Sequence, residues 1–364
     1  QRTCSVGPTR LRVGFTAVVF AAAGFVILAF APAPLSAQSL TCDLTGYTPV
    51  AGVSAAMSGG LLTVEWAGAG QERLRLRLGL VEGAPQIDQF AIQAAGGDWV
   101  IGARHAAFEF KIVEGLRRIS NQQLVPLRAL DVELTSEVVD RYKWDVFWDA
   151  PLDLREPVPA NNPPPIEGVA HQPGLPRSPG EVRRANASFD VSTCRVAREG
   201  RSLTVAFPGM HLGSFDGELV LTVYSGTNLI RVESVAATDL PSVAYKYDVG
   251  IVGLDLDDRS AVSWRDIANK VQSYSMKGPA NQDDVVLRAA NRLVVAETNG
   301  MAIAAFPPPH KFFWAREVEI NVGYNWYRKG DDGSFGIGIR QGEQEVVDRY
   351  LANWSLYSAP PGSE

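Results

Sequence analysis

The stretch FPPPHKFFWARE, Phe306 to Glu317, sets His310 behind three prolines and ahead of Phe312, Phe313 and Trp314. Aromatic faces cover the apolar faces of pyranose rings, and an imidazole exchanges protons near neutral pH. On that chemistry His310 is a candidate catalytic residue and Trp314 a candidate sugar platform. The plainer reading is a proline-stiffened corner with His310 on the surface. A second stretch, NVGYNWYRKGDDGSFGIGIRQGE from Asn321 to Glu343, alternates with period two. Tyr324, Trp326 and Arg328 fall on one strand face and Asn325 and Tyr327 on the other. KGDDGS makes the turn, and Phe335, Ile337 and Ile339 then alternate with Gly336, Gly338 and Arg340. The two glycines leave a flat face on which a ligand or another element can lie. Arg328 and Arg340 can each pair with the carboxylate of an acidic sugar. Trp326, Arg328 and Arg340 are therefore candidate substrate-binding residues, against a simple packed hairpin.

Two further stretches mix aromatic and charged side chains. In DRYKWDVFWDAP, Asp140, Asp145 and Asp149 accompany Trp144, Phe147 and Trp148. Paired carboxylates can cleave a glycosidic bond when their separation is right, but the alternation fits a strand with solvated charges equally well. In SVAYKYDVGIVGLDLDD, Tyr245 and Tyr247 share a face opposite Lys246 and Asp248. Tyr245 is a candidate substrate-binding residue, because tyrosine, lysine and arginine are types used to remove a proton beside a uronate carboxylate. Asp331-Asp332-Gly333 lacks the later carboxylates of an EF-hand, so no metal is assigned. A nucleophile elbow, P-loop, dinucleotide fingerprint, HExxH and CxxC pair are absent from the sequence, and no cofactor is called for.

The elements that must position these residues read as strands. ERLRLRLGLV puts Leu74, Leu76, Leu78 and Leu80 on one face and Arg73, Arg75 and Arg77 on the other. AAFEFKIV, LRALDVELT, YKWDVFW, ASFDVSTCRV, RSLTVAF, GELVLTVYS and LIRVESVAAT follow the same rule. SWRDIANKVQSY, Ser263 to Tyr274, is the best helical candidate. The predicted fold is all-β, a large antiparallel β-sandwich with few short helices. A proline-dense segment, Arg155 to Glu181, interrupts the strands. It is either a linker between two domains or a long loop within one.

The run GELVLTVYSGTNLIRVESVAATDLPSVAYKYDVGI, Gly217 to Ile251, resembles a strand series in galactose-mutarotase-like supersandwich domains of carbohydrate-active enzymes. The shared features are a strand, a turn at Ser225-Gly226-Thr227-Asn228 and a second long strand with alternating core and exposed residues. The resemblance covers well under half the chain. It implies a supersandwich and contact with carbohydrate, but no particular reaction, because such domains occur in epimerases, polysaccharide lyases and accessory modules alike.

At the N-terminus, Arg10 and Arg12 precede an apolar run from Val13 to Phe30 and the small-residue exit APAPLSAQ. Residues 1–37 read as a signal peptide cleaved after Ala37, with an uncleaved membrane anchor as the rival. Cys42 and Cys194 then remain in the mature region 38–364. They form either one disulfide or two independent buried thiols. A net charge of −6 with both signs interspersed disfavours a nucleic-acid partner. The first residue is Gln and the last stretch is APPGSE, as in a piece of a longer reading frame. Together these features predict an exported carbohydrate-binding or carbohydrate-active protein, periplasmic or extracellular and free of the membrane after cleavage. Its partner would be an oligosaccharide or polysaccharide, and its enzymatic form a lyase or hydrolase. The alternative is a noncatalytic β-module, structural or interacting, of a larger secreted enzyme.

Overall fold

The computed structural model describes residues 39–49, 51–116, 129–133, 135, 137–138, 182–240, 243–281, 283–308, 325–340, 357–359 and 361–362. Among the described residues, seven strands precede the proline-dense segment: β1 (Thr41–Gly46), β2 (Val53–Ser58), β3 (Leu61–Ala67), β4 (Arg73–Val81), β5 (Ala84–Gln93), β6 (Trp99–Ala103) and β7 (Ala107–Leu116). After it come β8 (Val182–Asn186), β9 (Ser188–Phe189), β10 (Thr193–Glu199), β11 (Ser202–Leu212), β12 (Phe215–Tyr224), β13 (Ile230–Ala237) and β14 (Val243–Asp255). The remainder are β15 (Ala261–Asp266), β16 (Val271–Ser275), β17 (Val285–Leu287), β18 (Ala289–Thr298), β19 (Met301–Ala305), β20 (Asn325–Lys329), β21 (Ser334–Arg340) and β22 (Tyr357–Ala359).

The all-β expectation holds, but the described strands divide among four sheets instead of the two stacked layers of a sandwich. One sheet runs β2-β3-β4-β5-β6, one β1-β10-β11-β12-β13 with β9 on β11, and one β16-β15-β18-β19. The fourth runs β17-β20-β21-β14-β7-β8 with β22 on β14. Period-two alternation fixes which side of a strand is apolar and leaves open which sheet that side meets. Pairing is antiparallel except for β1 on β10, which is parallel. That exception sets Cys42 opposite Cys194, and the two are joined in a disulfide with Cα atoms 4.4 Å apart. Strands from both sides of Arg155–Glu181 share sheets, since β7 pairs with both β8 and β14. The segment itself lies outside the described residues, as do residues 1–37. No helix among the described residues is long and apolar enough to cross a membrane.

The leucine face of β4 is buried as its alternation requires, with Leu74, Leu76, Leu78 and Leu80 all in the core. Its arginines face solvent and are matched there. Glu65 pairs with Arg73 and Arg75, Asp88 with Arg77, and Arg75 lies over the Trp99 ring. The helical reading of Ser263–Tyr274 is corrected to a hairpin, β15 and β16. Asp266 explains why: its Oδ1 accepts the amides of Ala268 and Lys270, and Asn269 adopts φ 60°, so the chain reverses where a helix would continue. Val262 and Trp264 then point together at the core side, opposite Ala296 and Val294 of β18.

Candidate functional site

The β20–β21 hairpin carries three of the residues singled out by sequence, and its setting decides what they can do. Trp326 on β20 stands in register with Gly338 on β21, which pairs with Gly250 on β14, which pairs with Glu109 on β7. The indole lies across this row of missing side chains. A Cβ at Gly338 would sit 2.3 Å from Trp326 Cζ2, and one at Gly250 would sit 2.5 Å from the same atom. The flat glycine face is thus occupied by the protein's own tryptophan, which is fully buried. Its expected role as an open sugar platform is corrected, because no face of the ring is free to stack.

Above the indole sits a closed ring of charge. Asp284 accepts from Lys111 Nζ at 2.7 Å and from Arg328 Nη1 at 3.0 Å. Glu109 accepts from Arg328 Nη2, and its other oxygen lies 3.0 Å from Lys111 Nζ, a charge contact without hydrogen-bond geometry. Lys111 and Arg328 also approach the Trp326 ring, at 5.1 and 5.5 Å from its centroid. Burial works against the charged form of Arg328, yet Glu109 and Asp284 outweigh it and hold its pKa above the ordinary value. One strand register further along, Arg340 donates to Asp248 at 2.9 Å. Burial raises the Asp248 pKa, opposed by Arg340, Lys246 and Lys111. Both arginines expected to meet an acidic sugar therefore already hold carboxylates of this chain, and that expectation is corrected.

The opposite face of the hairpin is structural. Asn325 Nδ2 donates to the carbonyls of Asn291 and Leu293, Tyr327 stacks on Tyr274 at 5.5 Å, and Lys329 Nζ donates to the Lys277 carbonyl at 2.8 Å. Tyr245 packs edge-on against Phe215 at 5.2 Å, against the core instead of in a groove. His310, Trp314, Phe312, Phe313 and Tyr324 lie outside the described residues, as do Asp140, Asp145 and Asp149.

The hairpin turn contributes to an open cleft of about 410 Å³ lined by His105, Val252, Arg328, Asp331, Asp332 and Ser334, among others. Three irregularities build it. The β6–β7 turn passes through His105 at φ 56°. The β14 register slips between Ile251 and Leu254, where Gly253 at φ 78° lets the backbone pass the His105 carbonyl; a Cβ there would sit 3.0 Å from that oxygen. In the β20–β21 turn, Asp332 accepts from the Ser334 amide and hydroxyl, which lowers its pKa. The cleft thus offers an exposed imidazole, a guanidinium edge, two carboxylates and a hydroxyl around a floor containing Gly336 and Phe335. Sequence reading placed Asp331 and Asp332 in the hairpin turn and noticed them otherwise as a failed calcium loop. It had no signal for His105, Val252 or Asp284, which come from other parts of the chain. No protein-family model matches the chain, and no curated protein is significantly similar to it.

Proposed function

We propose that this chain is an exported carbohydrate-binding protein that holds a neutral oligosaccharide in the cleft between the β6–β7 turn, the β14 bulge and the β20–β21 turn. The observation that carries the reading is the charge state of the cleft. Arg328 is balanced by Glu109 and Asp284, so its outer edge offers N–H donors without an unmatched positive charge. Asp331 and Asp332 add acceptors and negative charge. A polyhydroxylated ligand uses donors and acceptors of both kinds, whereas an acidic sugar meets net repulsion. The Cys42–Cys194 disulfide and the signal-like residues 1–37 support export. Glycan-array binding by the wild type, His105→Ala and Asp331→Ala is the test. Neutral glycans should bind to the wild type and lose at least about tenfold in affinity with each variant, the equivalent of about 1.4 kcal/mol. Binding confined to acidic glycans, or unchanged in both variants, would contradict the proposal.

A further inference from the structure

A different sheet carries a second constellation of reactive side chains. Ser188 on β9 is the register partner of His211 on β11, and His211 is the register partner of Asp216 on β12. Directly paired residues on neighbouring strands project from the same face. Neighbouring strands lie about 4.8 Å apart, so the three side chains form one short row. All three are exposed, while their chain neighbours Met210, Leu212 and Phe215 point into the core. Local irregularities make the row. The register of β11 slips at Gly209, whose φ of 92° lets the backbone pass the Asp190 carbonyl as β9 crosses; a Cβ at Gly209 would sit 2.6 Å from that oxygen. Gly213, at φ 65°, closes the tight β11–β12 turn that brings His211 back against Asp216.

Within the row, His211 Nδ1 is 2.5 Å from Asp216 Oδ1. The carboxylate therefore fixes the tautomer: Nδ1 carries a proton toward Asp216, and the neutral ring's free base is Nε2. Ser188 stands on the neighbouring strand on the other side of His211, in register with it and with no hydrogen bond formed between the two side chains in the structure. Beyond Asp216 the row continues to Ala237 on β13, beside an open hollow of about 360 Å³ lined by Asp216, Gly217, Glu218, Val235, Ala236 and Ala237. The order of roles is nucleophile, base and orienting acid, which is recognised by geometry and not by sequence position.

We infer that Ser188, His211 and Asp216 form a surface acyl-transfer site that hydrolyses carboxylic esters with water as co-substrate, independently of the glycan cleft. Ser188 Oγ forms a bond to the ester carbonyl carbon as its proton passes to His211 Nε2. Collapse of the adduct breaks the bond to the leaving alkoxide, which takes that proton from the imidazolium. Water then attacks the acyl-serine, again giving a proton to His211. Breaking the acyl–Oγ bond returns that proton to Ser188 and releases the carboxylic acid. The Asp216 carboxylate stabilises the imidazolium in both halves. Because this row assigns no oxyanion donor, the acceleration expected is that of acid–base catalysis alone, about 10²–10⁴-fold.

The test measures p-nitrophenyl acetate hydrolysis by the whole chain and by Ser188→Ala, His211→Ala and Asp216→Asn, with mass spectrometry of the peptide trapped with an acetyl group at acidic quench. All three side chains are exposed, and matching thermal unfolding of each variant confirms an intact fold. Ser188→Ala and His211→Ala should each lose about 100-fold or more. Asp216→Asn should lose about tenfold or more, and the acetyl group should map to Ser188. A wild-type rate no higher than buffer, activity retained in Ser188→Ala, or an acetyl group on another residue overturns the assignment.

Discussion

At the residue scale, the glycines at 250 and 338 are the tightest constraints near the candidate cleft. An added methyl at Gly338 meets both Trp326 Cζ2 and the Val249 carbonyl, at 2.3 and 2.5 Å, and the carbonyl belongs to the neighbouring strand and has nowhere to go. Gly338→Ala should therefore cost about 3 kcal/mol in urea unfolding. Gly97→Ala is the control, since its Cβ meets only the Ala94 carbonyl at 3.6 Å and should change little. Asp248 gives a second test. Its folded pKa is raised by burial, so its contribution to stability is full below the unfolded value, near about 3.9, and is lost as pH rises through the folded value. The unfolding free energy of wild type minus Asp248→Asn should fall as pH rises above about 3.9. A difference that grows with pH would mean that the Arg340 pair outweighs the cost of burying the charge. Alternation in the sequence put Trp326 and Arg328 on one face and Asn325 and Tyr327 on the other. It could not tell that Glu109, Asp284 and Gly250, distant in the chain, would complete the first face and bury it.

At the element scale, the parallel β1–β10 pair depends on the single covalent link of Cys42 to Cys194, which spans 152 residues. Closing so long a loop restricts the unfolded chain and is worth about 2–5 kcal/mol. Replacing both cysteines with serine should lower stability by that amount. Intact mass should show thiols open to alkylation only after reduction; free thiols in the native oxidised protein would remove the staple. The sequence left this pairing undecided because two cysteines carry no spacing signature, and only the strand register brings them opposite. The β15–β16 hairpin departs from the helical expectation for a local reason. Its apolar positions admit either period over a short stretch, and the side-chain turn at Asp266 settles the matter.

At the scale of the whole molecule, strand alternation made the all-β class legible, whereas the number of sheets was not, because it depends on pairings between strands on either side of Arg155–Glu181. Those pairings carry a consequence. If a protease site is introduced within 155–181 and cut, the two pieces, already linked by Cys42–Cys194, should unfold in one transition, because β1–β10, β7–β8 and β7–β14 all join them. Two separate transitions would contradict shared sheets. One cleft, assembled from two turns and the β14 bulge far apart in sequence, is proposed to hold a neutral glycan. Its most direct test is amide hydrogen exchange of the chain with and without a saturating neutral oligosaccharide chosen from the array. Added protection should appear together at residues 104–106, 252–253 and 330–336, with little change on the β9–β11–β12 face. Protection absent from those three segments, or appearing elsewhere, would contradict it.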